Sequence, residues 1–163
     1  MGYTHYFRTP KTLGKRAFKA FAKDCKQIVG FADFEMGLEL AGPMGDGDPE
    51  ITDEVVSLNG LGEDSHEAFH ISREKEVEDW ETPKNGLYFN FCKTAQKPYD
   101  PIVVAILIAL KKHFPKVIIS SDGSKKDWEE GLEICKKLFV GDLDLEFKPI
   151  SIEGSKIGSL VLV

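Results

Sequence analysis

Long hydrophobic runs are missing from this chain. The longest, Ile102 to Leu110, is well short of the ~20 apolar residues that a membrane-spanning helix needs, so no membrane partner is expected. The opening MGYTHYFRTP has no apolar stretch of the kind a secretory leader carries, and a cytoplasmic location is therefore expected. Cysteine is scarce. Cys25, Cys92 and Cys135 are odd in number and far apart, which argues against a disulfide framework or a Cys-rich zinc site. Positive charge is not in excess either. With 27 acids against 21 bases the formal net charge is −6, and unspecific binding to nucleic acid is disfavoured because phosphate contacts need a basic surface. Only Lys11, Lys15, Arg16 and Lys19 gather into a local basic patch. Internal repeats and low-complexity segments are also missing.

What remains is the composition of an ordinary globular domain, 42% hydrophobic and 29% charged. At 163 residues the chain is expected to form one domain with a sizeable core. Tyr3, His5 and Phe7 alternate with Thr4, Tyr6 and Arg8, which predicts a strand. Residues 11–29 predict an amphipathic helix with Phe18, Phe21, Ala22, Cys25, Ile28 and Val29 on one stripe, ended by Gly30. Short strands are predicted at 37–41, around Val56–Leu58 and around Phe69–Ile71, the last two joined by a long hairpin loop. A charged connection, 74–84, leads to an aromatic strand at 87–92 with Leu87, Phe89 and Phe91 toward the core. A second helix, about 101–114, is apolar on every side in its first half, with Asp100 placed to cap it and Pro101 at its first position. A buried-type strand at 116–120, a third helix at 125–139 and strands at 143–152 and 157–163 follow. The order predicts a single-domain α+β fold, a mixed β-sheet covered by about three helices. It contains one βαβ unit made of the Leu87 strand, the second helix and the Val117 strand.

Several groups carry chemistry. His66-Glu67-Ala68-Phe69-His70 matches H-E-x-x-H, in which two His one helical turn apart bind zinc and the Glu activates water. That motif requires a helix, whereas Gly60, Gly62, Asp64 and Ser65 before it and the alternation of Phe69 and Ile71 with His70 and Ser72 describe a strand. A metal site at His66 and His70 is therefore the alternative, and two exposed His beside a hairpin the plainer expectation. Cys92 offers a nucleophile, with His5 as base and Asp100 or Asn90 as orienter and Lys93 and Lys97 as nearby charge. The plainer reading is a half-buried thiol on a strand. Ser120-Ser121-Asp122-Gly123 ends a strand and opens a helix, where free backbone N–H groups favour anions and Lys125 and Lys126 add charge. Plain turn chemistry is the simpler reading of Ser121 and Gly123 alone, and the loop after Phe91, which also leaves a strand's carboxyl end, turns the balance toward a ligand site. Asn59 to Ser65, NGLGEDS, lacks the Lys-Ser/Thr of a P-loop and the spacing of a dinucleotide fingerprint, and no cofactor is expected.

The blocks Gly2-Tyr3-Thr4-His5-Tyr6, GLGEDSHEAF (60–69), GLYFNFCKTAQKPYD (86–100) and the 120–123 turn resemble a family of small uncharacterised proteins of phages and prophages. The resemblance covers most of the chain, and its first and third blocks are the more specific. In the family pattern a Trp commonly stands at the position of Phe7, and the position of His70 is often apolar. The resemblance implies no activity. It implies a context, an accessory protein acting in a host bacterial cytosol.

Together these features lead to the expectation of a non-catalytic phage accessory protein that counters host defence. It would bind a small polar ligand, of nucleotide-signal type, or a host protein. The expected ligand-binding residues are Tyr3, His5, Asn90, Cys92, Lys93, Thr94, Tyr99, Ser121 and Asp122. The alternatives are a hydrolase or transferase using Cys92, His5 and Asp100, a metallohydrolase using His66, Glu67 and His70, and a protein-interaction module using the acidic 74–81 segment. The apolar C-terminal strand 157–163 needs burial or a partner edge, so a homo-oligomer is also expected.

Overall fold

The structure is a computed structural model and describes residues 2–139, 147–149 and 160–162. Its elements are β1 (Thr4–Thr9), α1 (Lys15–Met36), β2 (Leu40–Ala41), β3 (Glu50–Ile51), β4 (Val55–Gly60), β5 (Phe69–Ser72), β6 (Tyr88–Lys93), α2 (Asp100–His113), β7 (Ile118–Ser121), α3 (Glu129–Leu138), β8 (Phe147–Pro149) and β9 (Leu160–Leu162). Short 3₁₀ turns occupy Gly62–Asp64 and Lys126–Trp128. The fold is single-domain α+β, as the element order predicts.

Two sheets form rather than one. The larger has the order β6-β1-β7-β9-β8, and the smaller is built around β4, with β2 and β3 on its path and β5 also paired to β4. Every described ladder is antiparallel, so the expected mixed sheet is corrected. The expected βαβ unit survives in split form. β6 and β7 both run opposite to β1, so they are parallel to each other with β1 inserted between them. β9 lies between β7 and β8, paired on both sides. Both edges of Leu160–Leu162 are thus paired within the chain, and the rest of 150–163 lies outside the described residues.

The helices follow their apolar stripes. α1 buries Phe18, Phe21, Ala22, Cys25, Ile28 and Ala32. It does not stop at Gly30. A glycine in helical conformation costs about 1 kcal/mol, which further packing of Phe31, Ala32 and Met36 outweighs. The helix ends at Gly37, whose φ of 60° is left-handed and whose N–H donates back to the Ala32 carbonyl. α2 buries every residue from Ile102 to Leu110, held between the other two helices and the sheet. At about 1.5–3 kcal/mol for each large aliphatic side chain, packing rather than intrinsic propensity fixes it. Its last turn carries Lys111, Lys112 and His113, which suit the negative end of the helix. Gly131 of α3 faces Val104 of α2 so closely that an added Cβ would fall 2.4 Å from the Val104 Cγ1. Phe7 of β1 and Phe69 of β5 stack at 5.4 Å and join the cores of the two sheets.

Candidate functional site

β1 supplies the first half of the expected site. Its alternation turns His5 and Phe7 inward, both essentially without exposure, and Tyr6 and Arg8 outward. His5 sits beside Cys92 in the β1–β6 register and beside Ser121 in the β1–β7 register. The expected residues His5, Cys92, Thr94, Tyr99 and Ser121 do converge, but they converge inside the protein, each at most 1% exposed.

Three of them are joined in one network, His5 to Ser121 and both His5 and Thr94 to the Asp100 carboxylate. His5 Nε2 lies 2.7 Å from Asp100 Oδ1, and the Thr94 hydroxyl donates to the same oxygen at 2.5 Å. His5 Nδ1 lies 2.8 Å from the Ser121 hydroxyl, which in turn accepts the Gly123 N–H at 2.9 Å. With one ring proton, placed on Nε2 by the carboxylate, Ser121 donates to Nδ1 and the chain is closed. The rings of Tyr3 and Trp128 meet His5 edge-on at 5.2 and 5.5 Å. A Ser-His-Asp sequence of this kind resembles a hydrolase relay in composition only. Its hydroxyl is 1% exposed, so no substrate carbonyl reaches it. Asp100 is thus neither the expected cap of α2 nor an orienter for a nucleophile. Its carboxylate ties β1 and the 94–97 turn to the first turn of the helix.

The Cys92 alternative is overturned. The thiol is fully buried and donates to the Glu67 carbonyl at 3.6 Å, and both nitrogens of His5 are committed elsewhere. Burial first, then the charges of Glu67 and Asp100, push its pKa well above the ordinary range, the opposite of what a thiolate nucleophile needs. Burial likewise pushes up the Tyr3 and Tyr99 phenols. Tyr99 donates to the Glu67 carbonyl at 2.6 Å.

The metal alternative fails on backbone shape. Residues 66–68 are irregular and 69–72 are extended, so His66 and His70 do not share a helical turn. His66 Nδ1 bonds the Lys93 carbonyl at 2.8 Å and His70 Nε2 the Ser72 hydroxyl at 3.1 Å. The Glu67 carboxylate accepts the Lys93 N–H at 3.2 Å. The motif is a clasp over the end of β6. Among the described residues no group of three metal-ligating side chains is assembled.

The expected anion cradle at 120–123 is also corrected, because its N–H groups are spoken for. Asp122 N–H donates to the Thr4 carbonyl, Gly123 N–H to Ser121, and Ser124 N–H to the Asp127 carboxylate. The Asp122 carboxylate accepts the Thr4 N–H at 3.0 Å and the Tyr6 hydroxyl at 3.1 Å, so it secures β1.

The strand β6 departs most from expectation. Phe89 and Phe91 point to solvent, 42% and 53% exposed, while Cys92 points inward. The register explains the reversal. Phe89 and Phe91 stand opposite Arg8 and Tyr6, the outward residues of β1, whereas Asn90 and Cys92 stand opposite Phe7 and His5. The inward Asn90 amide is tolerated because it donates to the Phe7 and Tyr88 carbonyls and the Thr9 hydroxyl, and its oxygen accepts from Lys75 at 3.2 Å.

The reversal creates an aromatic platform. Tyr6 stacks on Phe89 at 6.0 Å, Phe89 lies 5.9 Å from Phe91, and the Arg8 guanidinium covers the Phe89 ring at 5.3 Å. Beside it lies an open groove of about 540 Å³, lined on one side by residues of the 75–82 segment with Trp80, which is 79% exposed. A second depression of about 430 Å³ shares His70, Lys75, Glu76 and Asn90 with it. Of the expected ligand-binding residues only Asn90 lines this surface. Sequence reasoning missed Arg8, Trp80, Phe89 and Phe91. The available signal was a Trp standing alone among charges at 74–84.

This surface, exposed aromatic rings edged by charged side chains, is carried on an α+β fold. No family model, no curated protein and no solved structure matches the chain. No helix among the described residues is long and apolar enough to cross a membrane.

Proposed function

We propose that the protein is a non-catalytic binding module whose working surface is the aromatic groove of β6, β1 and the 75–82 segment. Its target is a small ligand or a protein of the host, and its setting, as a phage accessory factor against host defence in a bacterial cytosol, follows from the resemblance of its 2–6 and 86–100 blocks. One observation carries the reading: Trp80, Phe89 and Phe91 stand exposed around one groove, whereas among the other described aromatic rings Phe34 alone is exposed. A contiguous exposed aromatic surface marks a place of contact. Groove and platform lie where two sheets meet, a favoured position for ligand sites.

The test is a thermal-shift screen of nucleotides, nucleosides, amino acids and short peptides. A ligand at 100 times its Kd adds about 2.7 kcal/mol to the native state, which for a chain of this size raises Tm by roughly 5–10 °C. A Trp80→Ala/Phe91→Ser double variant should keep a melting temperature close to that of the parent and lose the response. A hit that the variant retains would move the site elsewhere. Conversion of the hit to a product would end the non-catalytic reading.

A further inference from the structure

The groove has a charge as well as a shape, and the charge selects its occupant. Three cationic or titratable groups face it, Arg8, His70 and Lys75, against Glu76, Glu78 and Glu81. Lys75 and Glu81 are paired at 3.4 Å and cancel. Arg8 lies over the Phe89 face and keeps its charge, which leaves three carboxylates against two fixed cations in the lining. Glu76 and Glu78 are exposed, and neither is in an ion pair among the described residues. They alternate along the same segment as Trp80, at 76, 78 and 80. The rim nearest the open rings is therefore acidic, on a protein that is already −6 overall.

We infer that this groove takes an organic cation, the guanidinium or ammonium side chain of a basic segment in a partner protein. This deepens the binding-module reading and rests on it. Aromatic faces attract cations through the ring quadrupole, and nearby carboxylates supply the long-range attraction. The groove already displays the contact once, with Arg8 on Phe89, while no cation among the described residues covers Phe91 or Trp80. The same arithmetic disfavours a phosphate-bearing ligand. Lys75 is neutralised, and a phosphate entering the groove meets two unpaired carboxylates. The nucleotide signal expected from the sequence is thus replaced by a basic peptide.

The experiment follows the Trp80 indole and the Phe91 ring by NMR while full-length protein is titrated with one of two probes. One is an uncharged-backbone octapeptide carrying two arginines, and the other is AMP. The peptide should shift both resonances saturably and AMP should not. Glu76→Gln/Glu78→Gln should weaken the peptide at least three-fold while leaving the melting temperature unchanged, and raising salt from about 20 to 200 mM should weaken the parent but hardly the variant. Binding of AMP in the groove with no peptide response would overturn the cation and leave the groove standing. Equal peptide affinity in parent and Glu→Gln variant would overturn the role of the two carboxylates. Absence of any shift with either probe would remove both this inference and the binding surface beneath it.

Discussion

At the scale of single residues the buried relay is the most consequential feature. Asp100 Oδ1 receives His5 and Thr94 together in a site closed by Tyr3 and Trp128. Asp100→Ala leaves two dry polar groups without their acceptor and should cost roughly 2–4 kcal/mol. Asp122→Ala removes two bonds at an exposed position and should cost under about 1 kcal/mol. Urea midpoints of the two variants measure the difference, and the opposite ranking would dismiss the relay as the tie between β1, β7 and α2. The thiols give a second prediction. Burial, the largest cause at each, pushes Cys135 up to about 12 from an ordinary 9.0 and shifts Cys25 and Cys92 in the same direction. Below the unfolded value both states keep the proton and the contribution is whole. As pH rises past 9, the unfolded thiols ionise and the folded ones do not. Stability then falls by about 1.4 kcal/mol per pH unit for each thiol until the folded value is reached. Urea titrations between pH 8 and 10 should show this decline, and Cys135→Ala should make it shallower. A flat profile in the parent would mean the thiols are open to water.

Among the elements, two helical glycines make opposite predictions. Gly30 lies within α1 with open space around it, so Gly30→Ala should stabilise by about 0.5–1 kcal/mol. Gly131 sits at the crossing of α3 on α2, where a methyl meets Val104, and Gly131→Ala should destabilise by about 1–3 kcal/mol despite its better helix propensity. Chemical denaturation of the pair checks both signs, and a stabilising Gly131→Ala would show that the helices can move apart. The elements also show what could be read from sequence. The stripe of α1, the all-round burial of α2 and the phase of β1 were legible, because each buries a continuous apolar pattern. The phase of β6 was not. Its odd positions are the more apolar, yet they face outward, since a strand takes its in-and-out sense from the register with its neighbour. That single reversal moved the candidate site from the converging side of β6 to its solvent side. It also turned Cys92 from a ligand contact into core. The glycine that ends α1 was misplaced for a related reason. Gly30 and Gly37 both fit a stop, and only tertiary packing of 31–36 chooses between them.

For the molecule as a whole, the decisive arrangement is the insertion of β1 between β6 and β7. It places the outward rings of β6 next to Tyr6 and Arg8 and so builds the platform from distant parts of the chain. It also sets a timetable. His5 is joined to Ser121 across 116 residues, and at ~5–20 residues per second a ribosome needs roughly 6–23 s to make that span. Until β6 is made, β1 with its Phe7 has no strand on either side, and until β7 is made it has β6 alone. A chain cut after Pro115 holds α1, α2 and the whole of the smaller sheet but lacks β7, and it should stay open to protease where the longer chain resists. Protection of β1 in the shortened chain would show that β6 alone suffices. A strand that must wait for both neighbours is the segment a folding helper would hold, and the segment at which a newly made copy is most easily lost.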